Sequence, residues 1–198
     1  PMTSTSLGEN GSVTWERAGL EKEEVYADVK GYKISMKSAG FTADSVLFYS
    51  KYFENPILGK VSENVLSNRG IEKVTYPNFE SYDKRLLIKN IFEDVDYEGG
   101  FTIRGQNLLG AGTNEELAKV IFHYKDKEFI ISESIIFTIN ADNITAERAK
   151  IKLFIEEDSI THPGISFTYN NNSKQLGLVK GGQGISISPY HNSYHKLD

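Results

Sequence analysis

From Val13 onward the sequence is a succession of short runs in which β-branched or aromatic residues alternate with polar ones. Tyr32, Ile34 and Met36 alternate in one run. In another, Phe129, Ile131, Ile135, Phe137 and Ile139 share one parity. A period of two sends every second side chain to the same face of an extended chain, so this spacing specifies half-buried strands. Further runs lie at 25–29, 45–49, 85–92, 100–103, 120–124, 149–155, 165–169, 176–178 and 185–187. Turn-forming stretches divide them: Glu98-Gly99-Gly100, Lys125-Asp126-Lys127, Asn170-Asn171-Asn172-Ser173 and Lys180-Gly181-Gly182-Gln183-Gly184. The Asn run reads as a hairpin connection, because Asn tolerates positive φ. Helical signal is thin; Asn114–Lys119 fits one turn capped by Asn114. The expected fold is all-β, about twelve or more short strands in a long curved or solenoid-like sheet, with a β-sandwich as the alternative. Phe137, Ile139, Ile165 and Phe167 are the expected interior positions.

A weak internal repeat runs through this pattern. Phe41-Thr42-Ala43-Asp44-Ser45-Val46-Leu47-Phe48 resembles Ile144-Thr145-Ala146-Glu147-Arg148-Ala149-Lys150-Ile151: each has an aromatic or aliphatic residue, Thr-Ala-acid and then an alternating strand. Each is followed by a Pro- and Gly-containing segment, Pro56-Ile57-Leu58-Gly59 in one and His162-Pro163-Gly164-Ile165 in the other. A looser third copy starts at Ser81-Tyr82-Asp83-Lys84-Arg85 and reaches Glu98-Gly99-Gly100-Phe101. Such units occur where each strand–turn element buries its apolar face on a neighbour.

Composition bounds the function classes. The 198 residues are 39 % hydrophobic and 25 % charged, which is globular composition. With no cysteine, disulfides, thiolate chemistry and Cys-based metal sites are excluded. A net charge of −5 gives no long-range attraction for phosphate backbones or anionic lipid, so no nucleic-acid partner is expected. No apolar run approaches the ~20 residues that span a bilayer as a helix, so no membrane insertion of this segment is expected. Residues 1–12, a Thr/Ser/Gly-rich stretch behind Pro1-Met2, read as a disordered tag or linker. Residues 13–198 read as a single β domain, a fragment of a longer chain.

The residues that could carry chemistry are few. His191 and His195 are four apart and, with His162, are the candidate metal ligands. No Glu follows His191 as a zincin motif requires, and a polar tail lying over Tyr190 and Tyr194 is the simpler account of the pair. Asp158, Ser159 and His162 hold the three groups of a hydrolytic triad within five residues. Neighbours on a strand face opposite ways, however, so a turn is the expected structure there. The stretch 105–113 lacks the Lys-Ser/Thr ending of a phosphate loop. Glu93-Asp94 with Asp96, and Glu156-Glu157-Asp158, read as solvated strand ends and not as calcium loops. No catalytic residue, cofactor or required metal is therefore expected. Only one tryptophan, Trp15, is present, where a glycan-binding face would want several exposed aromatic residues.

Four stretches carry a resemblance: Tyr82-Asp83-Lys84-Arg85-Leu86, Tyr97-Glu98-Gly99-Gly100-Phe101, Asp158-Ser159-Ile160-Thr161-His162-Pro163-Gly164-Ile165 and Asn192-Ser193-Tyr194-His195-Lys196-Leu197-Asp198. Together they resemble a segment of large uncharacterised exported proteins of Bacteroidota. The resemblance implies a place within a longer parent chain and a periplasmic or cell-envelope location, and it implies no activity. The expected function is a non-enzymatic structural or binding module of a larger envelope protein. A carbohydrate-active β module, binding or hydrolysing glycans, is the alternative. Strand edges left open invite association with another chain, and 184–190, alternating Ile185 and Ile187 with Ser, is the expected edge for a homo-oligomer.

Overall fold

The computed structural model describes residues 3–6, 11–35, 40–64, 75–105, 107–179, 190–191 and 196–197. In chain order the strands are β1 (Thr3–Ser6), β2 (Gly11–Thr14), β3 (Val25–Val29), β4 (Tyr32–Ser35), β5 (Gly40–Ser50), β6 (Ile57–Asn64), β7 (Asn78–Ser81), β8 (Leu86–Phe92), β9 (Val95–Arg104), β10 (Asn107–Ala111), β11 (Ala118–Tyr124), β12 (Lys127–Ser134), β13 (Ile136–Ile139), β14 (Asn143–Ile155), β15 (Asp158–Asn170), β16 (Gln175–Val179), β17 (Tyr190–His191) and β18 (Lys196–Leu197). The fold is all-β and its pairings are antiparallel, as the alternation predicts. Among the described residues one 3-10 turn, Glu16–Ala18, interrupts the strands.

The chain divides into two compact units, where the sequence pattern suggested one domain. The first holds Pro1–Asp83 and Phe101–Leu108; the second holds Lys84–Gly100 and Leu109–Asp198. Within the stretch read as a linker, β1 pairs with β4 and Gly11-Ser12 open β2, while residues 1–2 and 7–10 lie outside the described residues. Both strands lack apolar alternation because backbone hydrogen bonding to a neighbouring strand does not require it.

In the first unit β2 pairs with β3, and the 11-residue β5 serves β6 along one edge and two neighbours along the other. Its first residues pair with β4 and its last with β3. Between them, at Asp44-Ser45, the register against β6 shifts and Ser45 adopts φ 56°. This is a β-bulge, which turns the strand and carries buried parity from Ala43 to Val46. The Ser45 amide, released from the ladder, donates to the Tyr82 hydroxyl at 3.0 Å. The core gathers Trp15, Phe48, Phe79 and Phe101, all 1 % exposed or less. Phe48 stacks on Phe79 at 4.3 Å and meets Trp15 edge-on at 5.4 Å. The buried indole N–H donates to the Pro77 carbonyl at 2.8 Å, which satisfies its polar end.

The second unit repeats this plan pair for pair. β11 pairs with β12, β12 with the late part of β14, β13 with its beginning, β14 with β15 and β15 with β16. The cross-strand row Val13–Ala27–Phe48–Ile57 has the counterpart Val120–Ser132–Ile151–His162. The row Ile34–Phe41–Glu63 has the counterpart Ile139–Ile144–Tyr169. The bulge recurs too: the register of β14 shifts between Ala146 and Ala149, at Glu147-Arg148. The Thr-Ala-acid segments that match in sequence are thus the same bent strand built twice. The looser third copy is not a repeat of it, because β8 and β9 pair through a different bulge between Ile88 and Phe92.

Phe137, Ile139, Ile165 and Phe167 are all buried, as predicted. The single parity expected from Phe129 to Ile139 is broken twice. Phe129 is bypassed where the β11–β12 register shifts and stands 40 % exposed. At Ile135 the chain bends between β12 and β13, so Ser132 and Ser134 face inward on one side of it and Phe137 and Ile139 on the other. The Lys125-Asp126 connection is a two-residue hairpin with φ of 51° and 61°. The Asn170–Ser173 hairpin forms as expected, but Lys174, not an Asn, takes the positive φ (54°). Asn114–Lys119 is no helical turn; Thr113 supplies the local cap there, its hydroxyl accepting from the Glu116 amide at 2.9 Å.

Candidate functional site

The residue flagged from sequence that the structure places most firmly is His162. It lies in β15, in the row continued by Ile151 and Ser132, and is 5 % exposed. Asp158–Ile165 is therefore strand where a turn was expected. The turn falls just before it, at Glu156-Glu157, with Glu156 at φ 55°. Pro163 is tolerated because Pro163-Gly164 form a bulge opposite Lys150, where no ladder amide is needed. The Gly164 amide, freed by that bulge, donates to His162 Nδ1 at 3.1 Å. One ring nitrogen is thus committed to the backbone as an acceptor. Asp158 and His162 share a face but sit four residues apart along a strand, about 13 Å, and Ser159 points the other way. No triad assembles.

Around His162 lies a cleft of about 450 Å³ lined by Ile131, Glu133, Lys150, Lys152, Thr161 and Pro163. β12, β14 and β15 build it by direct pairing: Glu133 opposes Lys150, and Ile131 opposes Lys152, which opposes Thr161. Its polar groups are the Lys150 and Lys152 ammonium groups, the Glu133 carboxylate, the Thr161 hydroxyl and the His162 imidazole, and Lys152 lies 4.7 Å over the Phe154 ring. The backbone brings His191 close by, since β17 pairs with β15 at Thr161–His191. His195 lies outside the described residues, as do Ile185 and Ile187 of the expected edge. Among the described residues no group of three His, Asp or Glu converges as a metal cage would require.

The acidic runs serve the turns, as expected. Glu93 pairs with Lys174 at 3.0 Å, and that contact raises the lysine's proton affinity. Asp96, by contrast, takes part in a pairing that the sequence pattern did not reveal. His123 Nε2 lies 3.0 Å from its Oδ2, its Oδ1 accepts from the Asn90 amide at 2.8 Å, and the His123 amide donates to the Asp94 carbonyl. This pair holds the β8 bulge against β9 and β11. In the first unit Glu63 is 5 % exposed; Arg17 Nη2 donates to both its carboxylate oxygens, at 2.7 and 2.8 Å, and the Thr75 hydroxyl donates to Oε1 at 3.2 Å. Both arrangements join residues far apart in sequence, and only the folded chain shows them to be neighbours.

Tyr97 is the other buried polar side chain of note. It is fully buried in β9, its hydroxyl donates to the Gly100 carbonyl at 2.6 Å, and burial raises its pKa well above the usual range. Glycine makes room for it. A Cβ on Gly110 would sit 2.5 Å from the ring, and one on Gly99 would strike the hydroxyl and come within 2.8 Å of the Ala118 methyl. Glu98-Gly99-Gly100 is accordingly mid-strand and not a turn; its glycines allow close approach.

Comparison with known proteins found no matching family model, no matching curated protein and no matching solved structure.

Proposed function

We propose that this chain is a non-enzymatic β module, built as two copies of one unit, that serves as a structural or binding segment of a larger cell-envelope protein. The observation that carries the reading is the match of pairing and register between β2–β7 and β11–β16, including the bulge at Asp44-Ser45 and again at Glu147-Arg148, with one added bulge in β15 at Pro163-Gly164. Duplicated units of this kind extend by adding further copies, and they present surface instead of enclosing a reaction centre. The groups most suited to chemistry are engaged in holding strands: His162 binds a bulge amide, Asp96 a bulge amide and His123, and Glu63 an arginine.

The carbohydrate-active alternative finds less support. Trp15 is fully buried, and Tyr26 and Tyr49 stack on each other at 4.6 Å, which uses one face of each ring. The test is immunodetection of the parent protein in fractionated source cells with antibodies to this chain. The reading expects a band far larger than 22.2 kDa in the envelope fraction. A cytosolic band of that small size would overturn it. On a glycan array the reading expects no bound sugar, and saturable binding there would favour the alternative.

A further inference from the structure

β2 and β11 hold the same place in the two units, yet they are not equally covered. β11 is paired on both edges, to β12 on one side and to Val95–Glu98 of β9 on the other. β9 reaches it as one arm of the β8–β9 hairpin, with Tyr97 opposite Val120 and Val95 opposite Phe122. β2 is paired to β3 alone among the described residues. The exposure follows. Val120 is fully buried and Ala118 likewise, whereas Val13, the same residue type at the same row position, is only half-buried and Gly11, the counterpart of Ala118, is exposed. The space is also there. Among the described residues a Cβ placed on Gly11 would meet nothing nearer than the Val29 carbonyl oxygen at 3.9 Å, while its counterpart Ala118 is crowded by the Tyr97 segment.

We propose that the free edge of β2 is a docking site for a β-hairpin of the β8–β9 kind, supplied by a neighbouring module of the same longer chain. The inference rests on the duplicated-module reading and names the partner of its open edge. The occupant is a hairpin whose inner strand carries an aromatic residue two positions before a glycine, as Tyr97 stands before Gly99. Its backbone completes the ladder of β2, and its ring fills the space beside Gly11 and covers Val13. Added strands of this type take affinity from main-chain hydrogen bonds and specificity from alternate side chains.

The probe is a synthetic peptide of this chain's own residues 84–102, added at up to about 1 mM to the whole chain, a concentration suited to a weak single-hairpin contact. Amide hydrogen exchange is read at Gly11–Thr14. The peptide should slow these amides about tenfold, equivalent to ~1.4 kcal/mol, and leave the β11 amides unchanged. A peptide carrying Tyr97→Ala should lose the effect. So should Gly11→Val in the chain, a substitution the open space accommodates and whose folding is checked by an unchanged melting curve. No slowing at β2, or equal slowing by the Tyr97→Ala peptide, would overturn the proposal. The fractionation test separates the two readings. A large parent without peptide protection refutes the edge site alone, and protection with a 22.2 kDa parent overturns the neighbouring module as its source.

Discussion

Ser132 and Ser134 are two residues apart on the same strand and face the same interior, yet they should respond oppositely to loss of the hydroxyl. Ser132 is fully buried, and its Oγ has no hydrogen-bond partner among the described residues. Its counterpart in the first unit is Ala27, also fully buried, so an alanine has been accepted at this row position once already. In the unfolded chain the hydroxyl is hydrated, and burying it unpaired costs about 1–3 kcal/mol. Removing one oxygen leaves a void smaller than a methylene, which costs under ~1 kcal/mol. Ser132→Ala should therefore stabilise the second unit by about 1 kcal/mol. The Ser134 hydroxyl lies 2.9 Å from the Arg148 carbonyl and 3.1 Å from that of Ile136, so it ties the bulge of β14 to the bend before β13. Ser134→Ala should destabilise by about 1–2 kcal/mol. In urea, with a slope of ~2 kcal/mol/M, the midpoint should rise about 0.5 M for the first variant and fall about 0.5–1 M for the second, at unchanged slope. Shifts of the same sign for both, or a loss above ~1 kcal/mol for Ser132→Ala, would refute the argument.

Three further outcomes follow from the packing. Phe167→Ala should cost about 3–5 kcal/mol in denaturant titration, because the ring is fully buried and meets Phe137 edge-on at 5.8 Å; a cost under ~1 kcal/mol would contradict that burial. Gly110→Ala should cost about 1–3 kcal/mol, since its methyl would press on the Tyr97 ring, and the loss should shrink when combined with Tyr97→Leu; full additivity would refute the contact. Tyr97 also sets a pH dependence. Its raised pKa means that the unfolded chain ionises first, near the ordinary value of about 10, so its contribution is complete below that pH and is lost as pH rises beyond it. Tyr97→Phe should flatten the decline of stability above pH 10 by up to ~1.4 kcal/mol per pH unit, and unchanged steepness would dispose of the assignment.

Strand content was legible because a period of two is local: Ile165, Phe167 and Tyr169 declare their common face without reference to any partner. The bulges were not, because a bulge is a mismatch between two strands. Phe129 looks like a core residue until Glu128 and Ile130 are seen to pair around it with β11. Pro163 and Gly164 read as turn punctuation for the same reason, and they instead relax a long strand opposite Lys150. The duplication was half visible, since the bent strand needs a small residue and an acid at its bend in both copies. Its full extent emerged only from pairs such as Val13–Ala27 and Val120–Ser132, whose sequences have diverged. His123–Asp96 and Arg17–Glu63 left no local trace, because each joins residues of separate strands or turns.

The repeated register has a consequence for how the chain reaches its native state. Two strands that accept the same pairing geometry in one polypeptide are competitors while the chain is still collapsing, and exchange between copies is a common way for repetitive proteins to misfold. The side chains at equivalent pairs act as addresses against this. In one copy Tyr26 meets Tyr49 and Asp28 meets Leu47; in the other Ile131 meets Lys152 and Glu133 meets Lys150. Swapping the partners would set Glu133 against Leu47 and break the Tyr26–Tyr49 stack, losses that the new Asp28–Lys150 charge pair offsets only in part. Divergence between the copies thus sorts the strands during assembly, and a variant made more symmetrical, with Leu47→Lys and Tyr49→Lys, would refold more slowly and with more aggregate even where its final fold is unchanged.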